Sequence, residues 1–208
     1  RVWKETSRAL MEDHADEYFE VLRACGALKV LFPELDALYG VPQRPEYHPE
    51  IDCGIHTMMS LQQACRGNYS LDVRFAVLLH DLGKALMPMD VLNKPGKLTD
   101  EEFAIIKTHP EEGYKLLLGS TGADEIALDV VLHHHEKTDG SGYPKRLKDA
   151  EISLHAKMGA VCDVYDAITS DRPYKNGWDP AESIRKMAEW CKGHFDEAVF
   201  KAFVKSVG

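Results

Sequence analysis

The chain has 208 residues, 44% hydrophobic and 28% charged, an ordinary globular composition long enough to bury a core without disulfide staples. Its 34 acidic residues outnumber its 25 basic ones, and the formal charge of -9 argues against broad, salt-driven adhesion to nucleic acid or anionic membranes, though not against a small phosphorylated substrate held by metal. Five cysteines without a CxxC pair argue against a disulfide framework or a cysteine zinc site and favour a reducing cytoplasm, and no apolar run approaches the length of a membrane span.

An opening at Arg1 without methionine is expected of a trimmed or excised piece. Apolar residues at three-and-four spacing over 2–25 predict one kinked helix or two short ones, stopped at Gly26. A short helix is expected over 28–38, then a link carrying Pro42, Pro45 and Pro49. Helices are expected over 52–66, ended by Gly67 and Asn68, and over 71–82, closed by Gly83. Residues 87–97 read as a loop. Thr99 with Glu102 three residues on reads as a capping box, starting a helix that runs to about Leu118. Another helix is predicted over 123–135, and 137–148, with Gly140, Gly142 and Pro144, reads as a loop. A helix rich in small residues over 153–170 and two more over 180–191 and 196–206 complete an all-α reading, with residues 1–47 as an N-terminal helical lobe and 48–208 as the main body.

Histidines concentrate the chemistry. His56, His80, His109, His133, His134 and His135 lie in or beside predicted helices, accompanied by Asp52, Asp81, Glu136, Asp139, Asp163 and Asp166. Asp52 and His56, four apart, share a helix face. His80 and Asp81 end the most apolar helix, and a buried ionised aspartate is costly unless it is paired or metal-bound. Imidazole with carboxylate suits Fe, Mn or Zn better than Ca or Mg alone. Taken singly, His80 also fits a hydrogen-bonded core histidine, the triple histidine a surface run, and Asp163 with Asp166 a solvated helix edge.

Read together, the motifs HDLGK at 80–84, LNKPGKL at 92–98, KTHP at 107–110, HHE at 134–136, DGSGYP at 139–144 and DVYDAITSDRPYK at 163–175 resemble the HD-GYP subfamily of the HD superfamily of metal-dependent phosphohydrolases, whose members hydrolyse cyclic di-GMP. This resemblance runs from about residue 78 to the end. RVWKET at 1–6, CGAL at 25–28, LFPELDALYGVP at 31–42 and HPEIDCGIHT at 48–57 resemble instead the body and HD domain of bacterial tRNA nucleotidyltransferases, the CCA-adding enzymes, over residues 1–87. The two meet near 86–90, so the chain reads as a mosaic of two HD relatives, a natural recombinant or an engineered fusion. Nothing resembles a nucleotidyltransferase catalytic head, so CCA addition is not expected.

The resemblance implies an HD-domain helical bundle and a bacterial, cytoplasmic phosphodiesterase with two divalent metals, Fe or Mn before Ni, Co or Zn. Asp81 would bridge them; His56, His80 and Asp163 would complete one site and His109, His134 and His135 the other, and the ions would lower the pKa of a water for in-line attack on phosphorus. Asp52 stands where three-iron relatives carry a glutamate, one methylene longer, which bears on a third metal. His133 matches no ligand position and reads as structural. Lys84 matches a catalytic lysine, or else a helix-end cation; Arg172 and Lys175 match phosphate-binding residues, or else solvated charges; Tyr143 would touch a base or phosphate, or close a packed lid. The expected partner is a small phosphorylated or cyclic nucleotide, with no stable nucleic-acid binding and no membrane. The alternatives are a broad phosphatase and 2′,3′-cyclic nucleotide phosphodiesterase, a nucleotide sensor without turnover, or a recombined HD fold with little activity.

Overall fold

The first two helices, α1 (Val2–Ala9) and α2 (Ala15–Ala24), bury Leu10, Ala15 and Phe19. A computed structural model describes residues 2–42, 52–94, 96–118, 124–169 and 179–207. The single helix expected over 28–38 is two short ones, α3 (Leu28–Leu31) and α4 (Pro33–Asp36). Phe32 between them leaves helical geometry (φ -141°) because a residue before proline is pushed out of the α region.

The body begins with α5 (Cys53–Arg66) and α6 (Leu71–Leu79). Helix α6 ends three residues before the predicted stop, and the chain passes through His80 and Asp81 into a 3-10 turn over Leu82–Leu86. The expected loop over 87–97 contains one helical turn, α7 (Met89–Leu92). The capping box of Thr99 and Glu102 is formed and starts α8 (Asp100–Ile106), but the predicted helix to Leu118 is broken. Pro110 cannot continue it, so a second helix, α9 (His109–Leu118), starts afresh with His109 in its first turn.

Helix α10 (Glu125–His133), a 3-10 turn at Asp149–Glu151, α11 (Leu154–Thr169), α12 (Pro180–His194) and α13 (Glu197–Val207) complete the chain. The fold is all-α: no strand occurs among the described residues, which hold only the isolated bridges Pro42–Asp52 and Asp139–Lys148.

Helix α6 packs against α5, α10 and α11, and α9 packs against α10 and the first 3-10 turn. One apolar cluster joins Leu10, Phe19, Leu28 and Leu38 to Leu61, Leu78 and Val131, so the N-terminal helices and the body share buried side chains. A boundary at residue 47 falls outside the described residues. A second cluster, around Val161, Met187 and Phe203, packs α11, α12 and α13. Amid this apolar packing lie His56, His80, Asp81, Lys84, His109, His134, Asp163 and Asp166, all buried.

Candidate metal centre

Residues far apart in the chain converge on Asp81. Its Oδ2 lies 3.4 Å from His80 Nε2 and 3.7 Å from His56 Nε2, and its Oδ1 lies 3.5 Å from His109 Nε2 and 4.0 Å from His134 Nε2. Asp163, brought in by α11, sets Oδ1 3.2 Å from His56 Nε2 and 3.7 Å from His80 Nε2, and its Oδ2 3.9 Å from His135 Nδ1. The donor atoms form two groups, His56 with His80 and Asp81, and His109 with His134 and His135, each within 4.8 Å of one another. Leaving α6 for a 3-10 turn is what lets the neighbours His80 and Asp81 serve one centre, since regular helical neighbours diverge by about 100°.

The imidazoles are aimed by their outer nitrogens. Nδ1 of His80, His109 and His134 donates to the carbonyls of Val77 (2.6 Å), Ile106 (2.8 Å) and Val131 (2.9 Å). A carbonyl only accepts, so each Nδ1 carries a proton and each Nε2 is turned inward. Burial lowers the pKa of His109 to about 3 and of His134 to about 4, keeping both rings neutral near pH 7. Their two Nε2 atoms then face each other at 3.3 Å with no proton between them.

Among the described residues, the buried His80 Nε2 and Asp81 Oδ1 likewise have no hydrogen-bond partner. Opposed lone pairs and orphaned acceptors are satisfied by a cation, and neutral imidazole with carboxylate suits a divalent transition metal. Both groups can therefore hold a divalent metal. Burial opposes ionisation of Asp81, but Lys84, with the surrounding histidines, holds its carboxyl well below the usual carboxylate range.

Lys84 is buried with Nζ 2.7 Å from Asp81 Oδ2. The 3-10 turn that carries it packs so closely on α9 that a Cβ on Gly83 would collide with the His109 carbonyl and lie 2.7 Å from Gly113 N. The loop after α10 closes the other side. The Tyr143 ring stacks on His135 with centroids 4.7 Å apart, beside a cis Tyr143–Pro144 peptide. A Cβ on Gly142 would lie 2.5 Å from Glu136 Cα, so only glycine lets the loop fold back this tightly. Glu136 accepts from Lys145 N (2.6 Å) and Leu147 N (2.9 Å) and so pins the loop, a role its place beside the histidines did not reveal.

Asp52 stands apart from both groups. Its oxygens accept from Ile55 N (3.0 Å), capping α5, and from Gly40 N (2.6 Å). His133 points elsewhere and pairs with Asp129 one turn back (2.8 Å). Arg172 and Lys175 lie outside the described residues. Asp166, read from sequence only as an accompanying acid or a helix edge, is fully buried with Oδ2 2.9 Å from His56 Nδ1.

Comparison with known proteins bears on this geometry. Residues 30–199 match the family model described as HD domain. The chain belongs to the HD-domain family. Residues 1–39 of this HD-domain chain match a second model, described as the probable RNA- and SrmB-binding site of polymerase A.

The HD-domain chain is 61% identical over 133 residues to a cyclic di-GMP phosphodiesterase of Pseudomonas aeruginosa and 75% identical over 134 residues to a multifunctional CCA protein of Acinetobacter baumannii. Each match takes in 64% of this chain and 32% of the relative, so the chain spans about a third of the length of the curated relatives it matches. Both resemblances read from the motifs are thus found. In the solved structures, an HDG"Y"P protein from Bdellovibrio bacteriovorus has the same fold, with a TM-score of 0.59 at 15% identity, over 98% of this chain and 67% of that one.

Among the described residues no helix is long and apolar enough to cross a membrane.

Proposed function

We propose that the HD-domain chain is a metal-dependent phosphodiesterase acting on cyclic nucleotides, with cyclic di-GMP as the leading substrate. One observation carries this reading: His56 and His80 face one oxygen of the buried Asp81 carboxylate while His109 and His134, grouped with His135, face the other. That arrangement fits a pair of divalent ions, Fe or Mn before Ni, Co or Zn, with Asp163 as a further ligand of the first. When bound, such ions lower the pKa of water and polarise phosphoryl oxygens. Asp52, with both oxygens already accepting from backbone amides, favours two ions over three.

The chain's own groups divide the remaining work. Lys84 keeps a fixed positive charge beside Asp81, where it can offset the charge that builds on phosphoryl oxygens. The neutral imidazoles of His109 and His134 keep their Nε2 lone pairs available because backbone carbonyls hold the protons on Nδ1. Tyr143 covers His135 against water and offers an aromatic rim on which a base can stack. Arg172 and Lys175 are assigned to the substrate phosphates by their motif alone.

The identity to a cyclic di-GMP phosphodiesterase supports the substrate choice. A second reading, a broad phosphatase and 2′,3′-cyclic nucleotide phosphodiesterase, draws support from the 75% identity to multifunctional CCA proteins. Turnover of cyclic di-GMP, 2′,3′-cAMP and p-nitrophenyl phosphate by the same preparation separates the two: preference for the first is expected, and preference for the other two selects the second reading. The double variant His80→Ala, Asp81→Ala is expected to lose cleavage of bis(p-nitrophenyl) phosphate while keeping its helical circular dichroism. Unchanged turnover in that variant refutes the mechanism.

A further inference from the structure

His56 differs from its neighbours in what lies behind it. Three centre imidazoles donate through Nδ1 to backbone carbonyls, those of Val77, Ile106 and Val131. His56 Nδ1 instead faces a carboxylate oxygen, Asp166 Oδ2, at 2.9 Å, and neither side chain has any exposed surface. Besides Asp81, two acids meet this ring, and both come from α11. Asp163 and Asp166, three apart, lie on one helix face. Asp163 Oδ1 meets Nε2 at 3.2 Å and Asp166 Oδ2 meets Nδ1. One turn of helix therefore brackets both nitrogens of a single imidazole.

We infer that Asp166 is a positioning residue that acts through His56, fixing its tautomer and strengthening its Nε2 as a donor, so that the His56–His80–Asp81 group grips a divalent ion more tightly than it would with a neutral group behind His56. A carboxylate oxygen 2.9 Å from Nδ1 attracts the proton there more strongly than a neutral carbonyl does and so raises the electron density of the ring. The inference rests on the metal-binding part of the proposed function and adds to it a carboxylate that is not itself a ligand.

The test is Mn2+ binding by the full 208-residue chain, with free Mn2+ followed by electron paramagnetic resonance. Asp166→Asn, which keeps the shape and removes the charge, is expected to weaken one class of site about 10-fold or more, the range found when the outer partner of a metal-bound histidine is removed. In a His56→Ala background the same substitution is expected to change binding less than about 2-fold, because its effect passes through that ring. Equal Mn2+ affinity in wild type and Asp166→Asn overturns the inference, and so does an undiminished effect in the His56→Ala background.

A measurement on the unmutated chain stands beside these if Asp166→Asn fails to fold. Long-range 1H–15N correlation of the His56 ring is expected to show the proton on Nδ1; a proton on Nε2 overturns the inference. A wild-type chain that takes up no Mn2+ counts against the proposed function, whereas a loaded wild type with an equally tight Asp166→Asn counts against Asp166 alone.

Discussion

Asp81 carries three demands on one carboxylate: it ends an apolar helix, it faces four imidazoles, and it pairs with a buried lysine. Lys84 is the only partner of these that brings a permanent charge. Lys84→Met keeps most of the volume and removes that charge, so kcat on bis(p-nitrophenyl) phosphate is expected to fall by about 10²–10³ with metal content retained. Steady-state kinetics with metal analysis on the same sample check this, and turnover within about twofold of wild type would place Lys84 outside the chemistry. The inward-facing residues were legible because histidine and aspartate at these spacings match a family pattern: His56, His80, Asp81, His109, His134, His135 and Asp163 are all brought together. Their tethers were not legible. Nothing in the string DVYD says that Asp166 turns inward to His56, and no side-chain pattern encodes the carbonyls of Val77, Ile106 and Val131, which become partners only once the chain has folded.

Where the helices begin and end decides which side chains reach the centre. The early end of α6 and the restart of α9 at Pro110 deliver Asp81 and His109, and both were placed inside or beside longer predicted helices, because apolar periodicity continues across a change in backbone winding. The capping box at Thr99 was readable from two residue types, since it is a local structure. The start of α13 offers a measurable case of the same kind. Asp196 Oδ1 accepts from Ala198 N (2.9 Å) and Val199 N (3.0 Å), and its Oδ2 pairs with Lys157 of α11 (3.0 Å). The amide of Val199, then Lys157, hold its carboxyl below the usual range. A depressed folded-state pKa stabilises the fold above the unfolded value of about 3.9 and loses that contribution as the pH falls through the folded one. Asp196→Ala is therefore expected to cost about 1 kcal/mol at pH 7, and urea titrations at descending pH should show the gap to wild type closing below about pH 4. A gap that stays constant from pH 7 to pH 3 would contradict this account of the cap.

The N-terminal helices and the body are joined by a buried guanidinium as well as by apolar contact. Arg74 of α6 is 1% exposed and donates to the carbonyls of Leu10 and Glu12, just beyond α1, and to that of Tyr69, all at 2.9 Å. Arg74→Ala strands the buried Leu10 carbonyl, releases the two part-buried ones and opens a void, so a loss of about 3 kcal/mol or more is expected in urea denaturation, with a single cooperative transition in wild type. A loss below about 0.5 kcal/mol would show that the helices dock without this clasp. An arginine within the run from Leu71 to Leu79 gave no sign of this role, since two of its three partners lie more than sixty residues away in the chain. The all-α architecture, by contrast, was readable throughout, because periodic apolar faces recur from one end of the sequence to the other. Both levels serve one centre, and the quantity that tests it most directly is the metal content of the purified chain by mass spectrometry. Two donor groups around Asp81 predict about two divalent transition-metal ions per chain. A folded chain that retains no metal, and takes up neither Mn2+ nor Fe2+ when supplied, would contradict the account.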